Sequence, residues 1–127
     1  MDFSPYYRKI DGKYKLSRDY YIKTDIYPDG DARVENVGLS VEGGLLLLKG
    51  FVWDGPSGPA IDTPSFMRAS CVHDALYKLI REGVLLEDTW RNEADDLMVT
   101  VAKADGMPWW RRWYAWAGVR LAGWLYI

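Results

Sequence analysis

From Trp53 to Ser65 the chain reads WDGPSGPAIDTPS, with three prolines and two glycines in thirteen residues. Proline fixes φ and removes a backbone donor, so this stretch is neither a regular helix nor a central strand. A loop of about a dozen residues is uncommon in a compact domain unless it has a purpose. It also divides the chain, with strand-favouring segments before it and helical periodicity after it. That order predicts an α+β fold: a small N-terminal antiparallel β-sheet, then an antiparallel helix pair, then a C-terminal aromatic helix. With 127 residues there is room for one domain, residues 1–127.

Before the loop, Tyr14 to Thr24 is rich in aromatic and β-favouring residues and predicts a strand. The turn signal Pro28-Asp29-Gly30 follows it. Further strands are expected at Ala32–Val37 and Leu45–Val52, punctuated by Gly43-Gly44. Leu45–Leu48 is a continuous apolar run, which predicts burial on both faces of its strand. After the loop, Phe66, Ala69, Val72, Leu76 and Leu79 recur at helical spacing, predicting a helix from Phe66 to Arg81 that stops at Gly83. Thr63 or Ser65 is its expected cap, with Pro64 in its first turn. A second helix, Glu87 to Ala104, carries Trp90, Ala94, Leu97, Val101 and Ala104 as its stripe and ends at Gly106 and Pro108. The short connection from Glu82 to Leu86 makes the two helices antiparallel neighbours. A third helix runs from Trp109 to about Leu121.

That third segment is where composition matters. Five of the seven tryptophans (Trp109, Trp110, Trp113, Trp116 and Trp124) lie between residues 109 and 127. From Met107 onward there are three arginines and no acid, a net of +3, leaving −5 on residues 1–106. The acidic body argues against a nucleic-acid binder. No apolar stretch of signal-peptide length is present, and no run of eighteen uncharged apolar residues that could span a bilayer. The aromatic stripe is expected to pack on the domain's own core, the usual fate of such stripes. The other reading is an interfacial helix that contacts a membrane or cell-envelope surface through its tryptophans and arginines.

The single cysteine excludes an internal disulfide framework and a multi-cysteine zinc site, and the single histidine excludes a two-histidine metalloprotease helix. That histidine lies in Ser70-Cys71-Val72-His73-Asp74-Ala75-Leu76-Tyr77. Ser70, His73 and Tyr77 fall at i, i+3 and i+7 and share a helix face, while Asp74 points about 100° further round. Cys71 is off that face and reads as a small buried apolar side chain. On the second helix Arg91 and Asp95 are an i, i+4 pair. If the two stripes face each other, Asp95 reaches His73 and orients its imidazole, the arrangement of a general base. The same four groups, His73, Asp74, Tyr77 and Asp95, can equally be a buried polar network that specifies helix packing. The loop adds Asp54, Ser57 and Asp62. Loop carbonyls with Asp74 and Asp54 suit a calcium ion, while Asp54, Ser57 and Thr63 can instead be turn and cap residues.

Gly50-Phe51-Val52-Trp53-Asp54-Gly55-Pro56-Ser57, Ala69-Ser70, Val72-His73-Asp74-Ala75-Leu76-Tyr77, Arg91 with Ala94-Asp95, and Tyr114, Val119-Arg120 and Gly123 together resemble the phage and bacterial domain of unknown function 1353 family (DUF1353). The resemblance covers roughly residues 44–124. It implies a phage or prophage origin, in the host bacterial cytoplasm or the virion, and leaves the activity open. More locally, His73-Asp74-x-x-Tyr77 resembles the catalytic-helix motif of secreted phospholipase A2 enzymes. That resemblance implies His73 as the base, Asp74 as a calcium ligand and Asp95 as the orienting acid, although the disulfides of those enzymes are absent here. Two expectations follow. One is a small hydrolase acting on a lipid ester or another cell-envelope bond, with His73, Asp95 and Tyr77 at its site. The other is a non-enzymatic virion, tail or host-interaction protein with phage structural partners.

Overall fold

The computed structural model describes residues 1–54 and 64–126, with side chains described up to Leu121. After a single 3-10 turn at Ser4–Tyr6, β1 (Tyr7–Ile10) and β2 (Lys13–Leu16) form a hairpin across Asp11-Gly12. Next come β3 (Tyr20–Lys23), β4 (Ala32–Val34), β5 (Val37–Leu39), β6 (Gly44–Leu47) and β7 (Val52–Trp53). Three helices complete the chain: α1 (Pro64–Arg81), α2 (Glu87–Ala104) and α3 (Trp109–Tyr126). The class and element order are those of the expected α+β fold. Among the described residues the strands form two antiparallel sheets, ordered β1-β2-β7 and β3-β6-β5-β4.

Three of the expected strands are each cut in two by a turn. Tyr14–Thr24 becomes β2 and β3, in different sheets, because the chain turns at Ser17–Asp19. There Ser17 N–H donates to the Tyr6 carbonyl at 2.7 Å, and the Asp19 carboxylate accepts from Lys49 N–H at 2.7 Å. Ala32–Val37 is a tight hairpin turning at Glu35-Asn36, with Glu35 in the left-handed region at φ 45°. Leu45–Val52 breaks between β6 and β7, where Gly50 N–H crosses to the Leu16 carbonyl at 2.9 Å. Burial of Leu45–Leu48 on both faces also fails. Leu45 and Leu47 are fully buried, but Leu46 between them is 41% exposed. An antiparallel sheet covered on one side alternates in this way, and the continuous run of leucines masks the alternation.

The covering layer is α1, which lies against β4 and β7. Its Val72, Ala75, Leu76 and Leu79 share one core with Leu16, Leu39, Leu45 and Leu47. Each fully buried leucine side chain stabilises the fold by roughly 2 kcal/mol relative to exposure. A chain of aromatic rings ties the smaller sheet to this core, Tyr14 and Phe51 both packing on Trp53. The Trp53 indole N–H donates to Ser70 Oγ at 3.1 Å, and Ser70 Oγ donates to the Met67 carbonyl at 3.0 Å. Ser70 thus sets the position of α1 against β7 one turn before His73. Ser65 is the second residue of α1 and so is not its cap; Thr63 lies outside the described residues.

On α2 the buried side is Ala94, Asp95, Met98, Val101 and Ala102, whereas Ala104 is exposed. The helix is therefore rotated from the expected stripe so that a carboxylate faces inward. A smaller cluster of Phe66, Ala69, Met98, Val101, Ala102, Met107 and Ala115 joins all three helices. Among the described residues the core-packed aromatic stripe expected on α3 is not observed; the Trp124 side chain lies outside them. Ala115 is buried and Val119 packs on the cluster, while Trp109, Trp110, Trp113 and Trp116 are all exposed. The side of α3 that packs on this cluster is supplied by Ala115 and Val119, so the indoles stand at the edge of the contact with α2 or outside it.

Candidate functional site

The His73 face of α1 meets α2 at Asp95, a fully buried carboxylate. Asp95 Oδ1 is 2.7 Å from His73 Nε2 and accepts the Tyr77 hydroxyl at 2.5 Å. Its other oxygen, Oδ2, accepts from Arg120 Nη1 of α3 at 3.0 Å. One carboxylate of α2 thus gathers partners from both α1 and α3. Burial alone raises a carboxyl pKa, but here the His73 and Tyr77 hydrogen bonds, with Arg120, outweigh it and hold Asp95 below its ordinary value.

An ionised Asp95 can only accept, so the His73 nitrogen facing it carries the proton. The neutral imidazole therefore has its lone pair on Nδ1, which points away from α2 and lies 3.7 Å from Asp74 Oδ1. Burial disfavours the imidazolium, yet the Asp74 and Asp95 carboxylates more than offset this and raise the His73 pKa above its ordinary value. Burial, then the Asp95 hydrogen bond, push the Tyr77 phenol well up, with Arg91 opposing, so Tyr77 is a fixed donor at neutral pH. Its ring also lies against the imidazole, the two centroids 4.1 Å apart.

Of the residues singled out from the sequence, His73, Tyr77 and Asp95 converge directly, and Asp74 stands beside Nδ1 with a third of its side chain exposed. The expected Arg91–Asp95 pair is not the contact observed. Arg91 Nη2 donates to the Arg120 backbone carbonyl at 3.1 Å, bracing α3. Cys71 is fully buried and its thiol is pushed well up by burial, so it is a packing residue. Arg120 is the site residue that spacing arguments missed. Its position in the Val119-Arg120 pattern was the available signal, but its partner belongs to another helix.

Calcium ligation by Asp54 and Asp74 does not follow from the geometry. Asp54 is highly exposed and lies 3.5 Å from Lys13 Nζ. Among the described residues no three His, Cys, Asp or Glu side chains converge to hold a metal ion. Ser57, Asp62 and the loop carbonyls after Asp54 lie outside the described residues.

A family model described as a protein of unknown function (DUF1353) matches residues 45–119, which is 75 of the 127 residues. The matched range contains His73, Asp74, Tyr77 and Asp95 and stops one residue before Arg120. No curated protein and no solved structure matches the chain.

Proposed function

The chain belongs to the DUF1353 family, and from the geometry of its buried dyad we propose that it is a small phage-type hydrolase using His73 as general base. The observation that carries this reading is the pairing of His73 Nε2 with an Asp95 carboxylate that Tyr77 and Arg120 hold in place. Nδ1 takes a proton from water, and the resulting hydroxide attacks the carbonyl carbon of an ester. The imidazolium, stabilised by Asp95, then returns the proton to the departing alkoxide, leaving an alcohol and a carboxylic acid that ionises by releasing its own proton to solvent. Tyr77 and Arg120 are positioning residues that keep Asp95 ionised and aligned. The substrate class proposed is a lipid ester or another cell-envelope ester, for which the tryptophan- and arginine-bearing α3 is the support. No step is routed through a metal, since no three His, Cys, Asp or Glu side chains converge to hold one among the described residues.

Purified protein incubated with phospholipid and envelope-derived esters tests the reading directly. His73→Ala should reduce turnover by about 10²–10⁴-fold, the usual contribution of a positioned base, measured per folded molecule at a temperature below the variant's Tm. Addition of EDTA decides the calcium variant, which a turnover indifferent to chelation would eliminate.

The burial of His73, which is 6% exposed, favours a second reading, a structural network in a virion, tail or host-interaction protein. In that case His73→Ala lowers Tm by several degrees, no ester is turned over, and the protein is found in purified particles.

A further inference from the structure

Helix α3 turns its apolar face outward. Trp109, Trp113 and Trp110 are 73%, 65% and 56% exposed, and Leu121 is 75% exposed. Trp109, Trp113 and Trp116 also form one wall of an open groove of about 540 Å³ between α3 and α2. This is far more exposed indole than scattered surface hydrophobics explain, and it is contiguous along one helix. Arg111 lies over the Trp110 ring, its guanidinium 5.6 Å from the centroid. The segment from Met107 onward carries +3 with no acid, against −5 on the rest of the chain. One acid from α2 borders the face, Asp96, which accepts the Trp116 indole N–H at 3.3 Å.

We propose that the outer face of α3 is a docking surface for an anionic lipid bilayer, lying in the headgroup region. Three observations select this occupant. Tryptophan prefers the boundary between hydrocarbon and water, where its ring is buried and its N–H stays wet. Arg111 over the Trp110 ring and Arg112 in the groove with Trp109 and Trp113 complement lipid phosphates, while Arg120 is paired with Asp95. No described helix is long and apolar enough to cross a membrane, so α3 lies on the bilayer and does not span it. A second copy of the chain fits less well, since two-fold pairing would set Arg111 and Arg112 against the same residues of the other copy. A nucleic-acid strand would meet the −5 body as well as the basic face.

The surface also has a mechanical link to the dyad. Arg120, on α3, is the residue that holds Asp95 Oδ2. Docking through α3 therefore seats the membrane one helix away from His73. As the route by which the enzyme reaches a lipid ester this rests on the function proposed above; as a binding surface it is tested without turnover.

The test is co-sedimentation of the full chain with vesicles of phosphatidylcholine alone and of phosphatidylcholine mixed with phosphatidylglycerol, followed also by tryptophan emission. Partitioning should be about tenfold or more stronger on the anionic vesicles at low salt, weaken as salt is added, and be accompanied by a blue shift. Trp109→Ser with Trp113→Ser should reduce partitioning by about tenfold at unchanged Tm, because both rings are exposed. His73→Ala should bind as the unaltered chain does. Binding without turnover removes the hydrolase reading and leaves the surface standing; turnover of a dispersed short-chain ester without vesicle binding does the reverse. The proposal is overturned by absence of anionic vesicle binding, by binding indifferent to the two tryptophans, by tryptophan-dependent dimerisation, or by preferential capture of a single-stranded oligonucleotide.

Discussion

His73 and Asp95 have pKa shifts of opposite sign, and the two have separable consequences. The folded pKa of His73 lies above its unfolded value near 6.5, so its stabilising contribution is complete below about pH 6.5 and is lost as pH rises through the folded value. The folded pKa of Asp95 lies below 3.8; its contribution is present above that pH and lost as pH falls through the depressed value. The pair therefore stabilises the fold most between these limits. Catalysis needs the neutral imidazole, so turnover should rise with pH through an inflection above 6.5, in the range where stability declines. Asp95→Asn removes one cause of the raised His73 pKa and the preference for one tautomer. It should shift the inflection to lower pH, reduce turnover by about 10²–10⁴-fold and flatten the dependence of Tm on pH from 5 to 8. A wild-type inflection below pH 6.5 contradicts the assignment. At this scale the site was largely legible. Helical spacing alone put His73 and Tyr77 on one face and placed Asp95 across a short connection. Arg120 was not legible, because its contact depends on how α3 is rotated against α2, which no local period encodes.

Helices α1 and α2 were read within a few residues because their ends are marked by glycine, whereas α3, expected to stop near Leu121, continues through Gly118 and Gly123 to Tyr126. Gly83 has φ +78° and closes α1 with a paired motif, its N–H on the Ile80 carbonyl at 3.0 Å and Val84 N–H on the Leu79 carbonyl at 3.1 Å. Gly106, at φ +91°, ends α2 in the same way through Lys103 and Ala102. A Cβ at Gly83 would meet nothing within 4 Å, so Gly83→Ala isolates the backbone strain from any clash. It should cost about 1 kcal/mol and lower Tm by about 3–6 °C, with turnover per folded molecule unchanged. A larger loss, or a change in turnover, would mean that the turn also sets the register of His73 against Asp95. The strands were harder to read because their breaks carry weaker marks. Glu35 adopts a left-handed conformation that sequence does not advertise, and the Ser17–Asp19 turn is held by partners at Tyr6 and Lys49, distant in sequence. In β6 the uniform leucines conceal which side faces water. Pairing, more than propensity, decided these elements.

The larger sheet, α1 and α2 are also joined through residues that are not part of the candidate site. The Arg68 guanidinium donates twice to Asp105 at the end of α2, at 2.8 and 2.9 Å, and a third time to the Tyr20 hydroxyl of β3 at 3.0 Å. The N-terminal amine of Met1 also reaches Asp105, at 3.1 Å. One carboxylate thereby links the start of the chain, the larger sheet through Tyr20, α1 and α2. Its side chain is inaccessible and that of Arg68 is 13% exposed, so solvent screens this pair far less than a surface ion pair. Lys13–Asp54 is the contrasting case, exposed on both sides and expected to contribute less than about 1 kcal/mol. Asp105→Ala leaves Arg68 mostly buried without its carboxylate and should cost about 2–4 kcal/mol, lowering Tm markedly. Asp54→Ala should leave Tm nearly unchanged. Neither residue touches His73, Tyr77, Asp95 or Arg120, so turnover per folded molecule should survive both changes. The comparison also bears on α3. Its polar ties to the body run through Arg91, Asp95 and Asp96 of α2, and Asp105 anchors the far end of that same helix. If weakening that anchor also loosened the α3 docking face, vesicle binding by Asp105→Ala would fall together with Tm. Binding retained until the cooperative unfolding transition would show that α3 is held by its own contacts, Ala115, Val119 and the Arg120–Asp95 pair.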